Sequence, residues 1–529
     1  MIRSPASFCS GSRYGNSFGA PLDWDLPAKF VNWRPVQTDA LHDTLDAFER
    51  GVRFVGSTLP TGVGKSSYAV ALHKMLPSSR TVILTATKAL QLQYIADFES
   101  TGMRALMGRN AYSCRVYKNC EWGQAGKCPA RRSDSCPAFA AENAFLRGEI
   151  VVTNYHAWIS RRQGERGVAA VGDFDLLVLD EADSAVGVVG DICAINIDAD
   201  EGLQGLPDNA GEWVRDQWRK WARDAAGKVA LPDPESSPER FVREKARKQK
   251  YERLAALPDD WILDETNTGW QFNPLWPGTG ASEVLYGDIP RVVLMSGTLT
   301  KMTMEVLGAG GVGGAAAHFD YPSPFDPARS PVYRPSWAPR LTKRSRTTEE
   351  DLGAMLTLLD QFIGRRLDRK GLIQTGSYAR RDLILRNSRH RGYMVTHEYA
   401  NTASVVERFK AMGRVGYLVS PSVHTGFDFP GPTCRANVLV KVPYEDNRER
   451  KNLAKARSEA NPGWTTAQAI QKASQAIGRG MRSGDDWQEC LVTDGSWGGV
   501  LWRNKEMSTQ WVKDLDRKIE GTLPEPMKW

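Results

Sequence analysis

The chain has 529 residues, 41% hydrophobic and 25% charged, the balance of a globular protein with ample apolar surface for a core. No stretch approaches the ~18–20 apolar residues of a membrane-spanning helix, and the N-terminus lacks the apolar segment of a secretory signal. A formal charge of +7 leans towards a polyanionic partner, and the cysteine usage is that of a reducing cytoplasm and not of a disulfide framework.

In chain order, residues 1–27 read as an N-terminal lead-in. The apolar run VRFVGS then feeds LPTGVGKSS (59–67) and a helical stretch, YAVALHKML. A strand, a glycine-containing turn and a helix N-terminus make a phosphate cradle, because the turn's N–H groups and the helix dipole both face an anion. Thr61, Gly62, Gly64 and Lys65 would form it, with Lys65 reaching the β- and γ-phosphates of ATP and the Ser66 hydroxyl binding Mg²⁺.

Short β-rich runs alternate with helical stretches from there on, the pattern of parallel sheets covered by helices. TVILTAT (81–87), EIVVTNY (149–155), DLLVLDEAD (175–183) and RVVLMSGT (291–298) form a first set. GLIQTGS (371–377), VGYLVS (415–420), NVLVKVP (437–443) and CLVTD (490–494) form a second. The predicted fold is therefore α/β, with two parallel-sheet lobes over 28–306 and 341–529 joined by a Gly/Ala- and Pro-rich linker, 307–340. The third run of the first set ends in Asp180-Glu181-Ala182-Asp183. A carboxylate at a buried strand end beside a phosphate cradle can hold Mg²⁺, and the next one can orient and deprotonate a water. In the second lobe, QAIGRGMRS (475–483) places Arg479 and Arg482 on one helix face with Gln475 a turn earlier, which suits cations placed over developing phosphoryl charge.

Two segments interrupt the first lobe. Residues 105–147 contain Cys114, Cys120, Cys128 and Cys136, half of the eight cysteines. Structural zinc sites usually pair ligands as C-x₂₋₄-C, and none of these intervals is so short. Cubane clusters also take four thiolates and accept longer loops, so an iron–sulfur centre, zinc and free thiols all stay open. Arg109, Arg115, Lys118, Lys127, Arg131 and Arg132, with Tyr112, Tyr117 and Trp122, lie among the cysteines, an interleaving that suits single-stranded nucleic acid. Residues 185–289 are rich in charge and tryptophan. Helices are expected at 212–226, with Val214, Trp218, Trp221 and Ala225 buried and Arg215, Arg219 and Arg223 on another face, and at 237–257, capped by Ser237. Seven of the sixteen residues 239–254 are Lys or Arg, which allows either a solvated face or the wall of a strand channel. After 501 one helix is expected, with Trp511, Val512, Leu515 and Ile519 packed on the second lobe.

These stretches, in this order, resemble superfamily 2 helicases, and the cysteines narrow the resemblance to the XPD/DinG iron–sulfur family. RPVQ is similar to its adenine motif, implicating Arg34 and Gln37. TVILTATKALQLQ is similar to motif Ia, SGTL to motif III, HTGFDFPG to motif V and QAIGRGMR to motif VI. Asp183 stands where the family usually has histidine, and Thr425 where motif V commonly has glutamate. The resemblance implies two RecA-like lobes, a [4Fe–4S] domain held by the four cysteines, an Arch-like helical insertion at 185–289, and a nucleotide-side role for Asp428. It also implies an ATP-dependent helicase moving 5′→3′ on single-stranded or forked DNA, with RNA–DNA hybrids as a further substrate. Two other readings stay open: a translocase that displaces protein or RNA without processive unwinding, and a binding scaffold with a vestigial ATP site.

Overall fold

The computed structural model describes the chain except residues 1–12, 16, 77–78, 115, 118–119, 121–127, 131–132, 134, 163–171, 199–209, 260, 312–313, 342–346, 424–426, 428, 446–453, 456–457, 482–483 and 529. Its strands in chain order begin with β1 (Phe54–Thr58), β2 (Thr81–Thr85), β3 (Arg104–Leu106), β4 (Ile150–Asn154) and β5 (Leu176–Asp180). Three strands of the second insertion follow: β6 (Ile195–Asp198), β7 (Trp261–Glu265) and β8 (Gly269–Pro274). Then come β9 (Arg291–Ser296), β10 (Ala316–Asp320), β11 (Val332–Pro335), β12 (Lys370–Gln374) and β13 (Met394–Thr396). The series closes with β14 (Gly416–Ser420), β15 (Ala436–Leu439), β16 (Glu489–Val492) and β17 (Asp516–Ile519).

Two seven-stranded sheets carry the molecule, in the orders β10-β1-β9-β5-β2-β4-β3 and β13-β14-β12-β15-β16-β11-β17. Their pairings are parallel throughout. β1, β2, β4, β5 and β14 are buried along their whole length, because helices cover both faces, and such strands read as unbroken apolar runs. These are the two RecA-like lobes. Within the stretch 307–340, β10 completes the first sheet beside β1, and β11 enters the second between β16 and β17.

The second insertion differs from its helical expectation. It holds a three-stranded antiparallel sheet, ordered β6-β8-β7, on which the helices Arg215–Lys228 and Pro238–Ala255 pack. Trp218, Trp221, Ala222 and Ala226 form its buried stripe, while Val214, expected inside, is 65% exposed one residue before the helix starts. Ser237 makes no side-chain cap, although Pro238 does open the helix. The preceding helix, Ala182–Cys193, belongs to the first lobe, where Ala185, Val186 and Val189 join its core.

The C-terminus is also not one helix. Helices Trp497–Arg503 and Gln510–Leu515 are separated by a short turn, and the chain then runs as β17 along β11. Trp511, Val512 and Leu515 do enter the second-lobe core, while Ile519 lies on the strand.

Candidate functional site between the two lobes

β1, β9 and β5 are neighbours, so their C-terminal ends bring LPTGVGKSS, SGTL and DEAD to one place, the edge of an open α/β sheet where ligands bind. Gly64 takes a left-handed conformation (φ 84°) as the cap of helix Lys65–Met75, and Gly62 does the same. The turn needs glycine there, since a Cβ would strain it. The helix N-terminus thus opens behind Lys65, whose Nζ lies 3.8 Å from Glu181 Oε1.

Asp180 is buried at the end of β5. Its carboxylate accepts from Tyr94 Oη at 2.8 Å and from the Glu181 backbone N–H at 2.9 Å, and its carbonyl accepts from Tyr155 Oη at 3.0 Å. Burial, then the charge of Glu181, pushes Asp180 up to about 7, while Lys65 pulls it down. Tyr94 interacts with Ser66 as well, so one phenol links the two expected Mg²⁺ ligands. Neither tyrosine was singled out from the sequence, because an aromatic on a helix looks like core until the fold aims its hydroxyl. Glu181 adopts φ 50°, a left-handed conformation for a residue with a Cβ, and stays partly exposed beside the cradle.

Gln37 faces the cradle from behind. Its Oε1 accepts from the Arg34 backbone N–H at 2.9 Å, which fixes the amide's orientation. Its Nε2 donates to Gly64 O at 3.0 Å and Ser67 Oγ at 2.8 Å, so this buried amide braces the turn. The Arg34 guanidinium lies 5.9 Å from the ring centre of Phe325, which comes from the stretch between the sheets.

The second lobe closes on this edge. Gln475 Nε2 donates to Asp183 Oδ2 at 2.6 Å, and Thr298 Oγ1 donates to the same oxygen. Gln471, one turn before Gln475, donates to Thr298 O at 3.2 Å. Gly478 packs against Thr61, and Arg479 donates to Phe427 O. Arg482 and Asp428 lie outside the described residues. The site thus brings together Thr61, Gly62, Gly64, Lys65, Ser66, Asp180, Glu181 and Gln475, with Arg34 and Gln37 at its rear.

The cysteine window is described only in part. Cys114, Cys120, Cys128 and Cys136 are all half-buried and free. Burial raises the Cys120 thiol, as do Cys136 and Cys114, while Arg109 lowers it, so at least those thiols share a neighbourhood. Among the described residues no group of three or more His, Cys, Asp or Glu side chains is arranged to hold a metal ion. Tyr112 spends its hydroxyl accepting from the Met107 N–H at 2.9 Å, and Arg115, Lys118, Trp122, Lys127, Arg131 and Arg132 lie outside the described residues. In the second insertion Arg219 is paired with Asp216 and Asp259, and Arg215 with Asp259, so neither is a bare cation facing a channel. Among the described residues no helix is long and apolar enough to cross a membrane.

A family model for the helicase C-terminal domain matches residues 369–513, and one for the type III restriction enzyme res subunit matches residues 30–187. Among solved structures, an XPD helicase is 13% identical with a TM-score of 0.62, covering 92% of this chain and 99% of its own. Xpd4 of S. tokodaii is 13% identical with a TM-score of 0.58, covering 92% of this chain and 100% of its own. No curated protein matches. With both lobes and the site between them, the class is an ATP-dependent helicase acting on nucleic acid. Within that class the fold is similar to that of the XPD helicases.

Proposed function

We propose that the chain translocates 5′→3′ on single-stranded DNA and couples ATP hydrolysis to separation of the duplex at a fork. Residues 28–306 and 341–529 act as the two motor lobes, joined by the stretch 307–340, which lends β10 to the first and β11 to the second, with 1–27 as a lead-in. Lys65 holds the β- and γ-phosphates, Ser66 and Asp180 hold Mg²⁺, and Glu181 orients and deprotonates the attacking water. Bound Mg²⁺ supplies charge neutralisation at the phosphates. Arg479 and Arg482 answer the developing negative charge from the second lobe, and Arg34 stands at the base end of the nucleotide with Gln37 bracing the cradle.

The observation that carries this reading is the Asp183–Gln475 contact of 2.6 Å. It ties the acidic strand end directly to the helix Trp464–Ile477, which leads into the turn that bears Arg479, so events at the phosphates are felt by both lobes.

The four thiols suit an iron–sulfur cluster or zinc in donor type, and the resemblance favours [4Fe–4S] on Cys114, Cys120, Cys128 and Cys136, within 105–147. A bound cluster would staple a segment too small to bury much core of its own. The insertion 185–289 is read as Arch-like, forming part of the path of the displaced strand.

Lys65→Ala is expected to abolish single-strand-stimulated ATPase, and Glu181→Gln to keep nucleotide binding while blocking turnover. Near-normal hydrolysis by either variant would overturn the site. Unwinding of 5′- and 3′-tailed forks, flaps and RNA–DNA hybrids then tests polarity and substrate. Streptavidin displacement without unwinding would replace the helicase reading by that of a translocase.

A further inference from the structure

Trp511 belongs to none of the motifs above, and it is 4% exposed among Ile477, Trp497, Val512 and Leu515 of the second-lobe core. Packing accounts for its ring but not for its nitrogen. Nε1–H leaves the lobe and donates to Gly297 O, in the SGTL turn of the first lobe, at 2.7 Å. The ring edge meanwhile lies 3.1 Å from where a Cβ on Gly478 would stand, and that point is 3.3 Å from Thr61 Oγ1. A Cβ on Gly297 would likewise stand 3.5 Å from both Leu59 O and Thr61 Oγ1. One indole therefore touches the turn after β9 and the helix end at Gly478, which both abut the phosphate cradle. The same short helix makes a second crossing, from the Gln510 N–H to Asp320 Oδ2 at 3.0 Å, at the end of β10.

We propose that Trp511 is a positioning residue for the coupling of hydrolysis to movement. It fixes the Gly297 carbonyl, and so the next residue, Thr298, whose hydroxyl donates to Asp183 and whose carbonyl accepts from Gln471. The links run Trp511, Gly297, Thr298, Asp183, Gln475, from the second lobe into the first and back. When lobe separation changes, the indole pulls on the turn that orients Asp183, two residues from Glu181. Without that N–H the turn keeps its sequence but loses its tether, and a buried carbonyl is left without its donor.

The proposal rests on the cradle reading, and its test separates the two. In the full-length protein, Trp511→Phe keeps an aromatic ring and removes the donor, and the packing lost with the smaller ring is controlled by a second core variant. The expected result is a fall in single-strand-stimulated kcat on the order of tenfold, the size of one lost buried hydrogen bond. The KM for ATP should stay within about twofold, and ATP consumed per base pair unwound should rise severalfold. Val512→Ala, which trims the same core without touching the first lobe, should lower the melting temperature and leave ATP per base pair unchanged. Wild-type kcat and wild-type coupling in Trp511→Phe would overturn the proposal. So would an equal loss of coupling in Val512→Ala, since the effect would then be one of packing. Lys65→Ala serves as the independent control. Its retention of hydrolysis would overturn the cradle reading and the proposal together, whereas an inactive Lys65→Ala beside an unaffected Trp511→Phe would overturn only the role of Trp511.

Discussion

Asp183 shows how one buried acid is met by its partners. A carboxylate can only accept, so its neighbours must supply donors, and they supply the Gln475 amide and the Thr298 hydroxyl. Burial and the charge of Glu181 raise the carboxyl of Asp183, and those two donors and Ser296 hold it down again. Gln475→Glu would set a second carboxylate against the first. Both cannot ionise at that distance, so one must take a proton or the lobes must part. ATPase at neutral pH should fall on the order of a hundredfold and recover partly as pH drops towards 6. Asp183→Asn should be far milder, because its amide oxygen, set where Asp183 Oδ2 lies, still accepts from both Gln475 and Thr298, and only the Ser184 N–H loses its acceptor. Equal activity of the two variants in a steady-state assay would show that the contact does not link the lobes. The residues of this site were unevenly legible in the sequence. Lys65, Ser66, Asp180 and Glu181 stood out because phosphate chemistry demands those types at those spacings. Tyr94 and Tyr155 did not, since only the fold turns two core aromatics into hydrogen-bond donors to Asp180.

At the scale of elements, the strands that could be read were those buried on both faces, whose apolar runs need no context. The short strands β3, β6, β13 and β17 carry no comparable signal, being edge or end strands of three or four residues. The hairpin of β7 and β8 did carry a turn signal, the Asn-Thr-Gly run between WILDE and WQFNP, which the tryptophan and charge content of the insertion obscured. Least visible was the ion cluster that holds β16. Glu489, fully buried, accepts from Arg366 Nε at 2.9 Å and from Arg369 at 3.1 Å, and Tyr333 Oη lies 3.4 Å away. Arg366 also donates to Pro524 O at 3.2 Å, which pins the C-terminal segment. Glu489→Ala would strand one fully buried guanidinium and a second largely buried one. It should cost about 3–5 kcal/mol, the usual penalty for breaking a buried pair. Urea unfolding followed on the isolated second-lobe transition would measure it, and a loss under about 1 kcal/mol would mean that water reaches Arg366.

Across the whole molecule, the described residues of the two lobes meet through aromatic and amide contacts. Trp276 of the first lobe and Trp464 of the second stack edge to face at 5.6 Å, beside the Gln471 and Trp511 bridges. The cysteine segment lies in the chain between β3 and the helix Pro137–Arg147. The helix after Cys136, Pro137–Arg147, is anchored on the first lobe independently of any metal, by Phe145 in the core and by the Glu142–Arg161 ion pair at 3.1 Å. That anchoring makes the role of the cysteines separable from the motor. Protein purified anaerobically should be brown and carry about four irons per chain if the thiols hold a [4Fe–4S] centre. Cys136→Ser should then lose iron and duplex unwinding, while the helix behind it keeps its seat and single-strand-stimulated ATPase persists within a fewfold. Colourless wild-type protein with one stoichiometric zinc would keep the staple and replace the cluster. A metal-free variant that still unwinds forks at the normal rate would remove the segment from strand separation altogether.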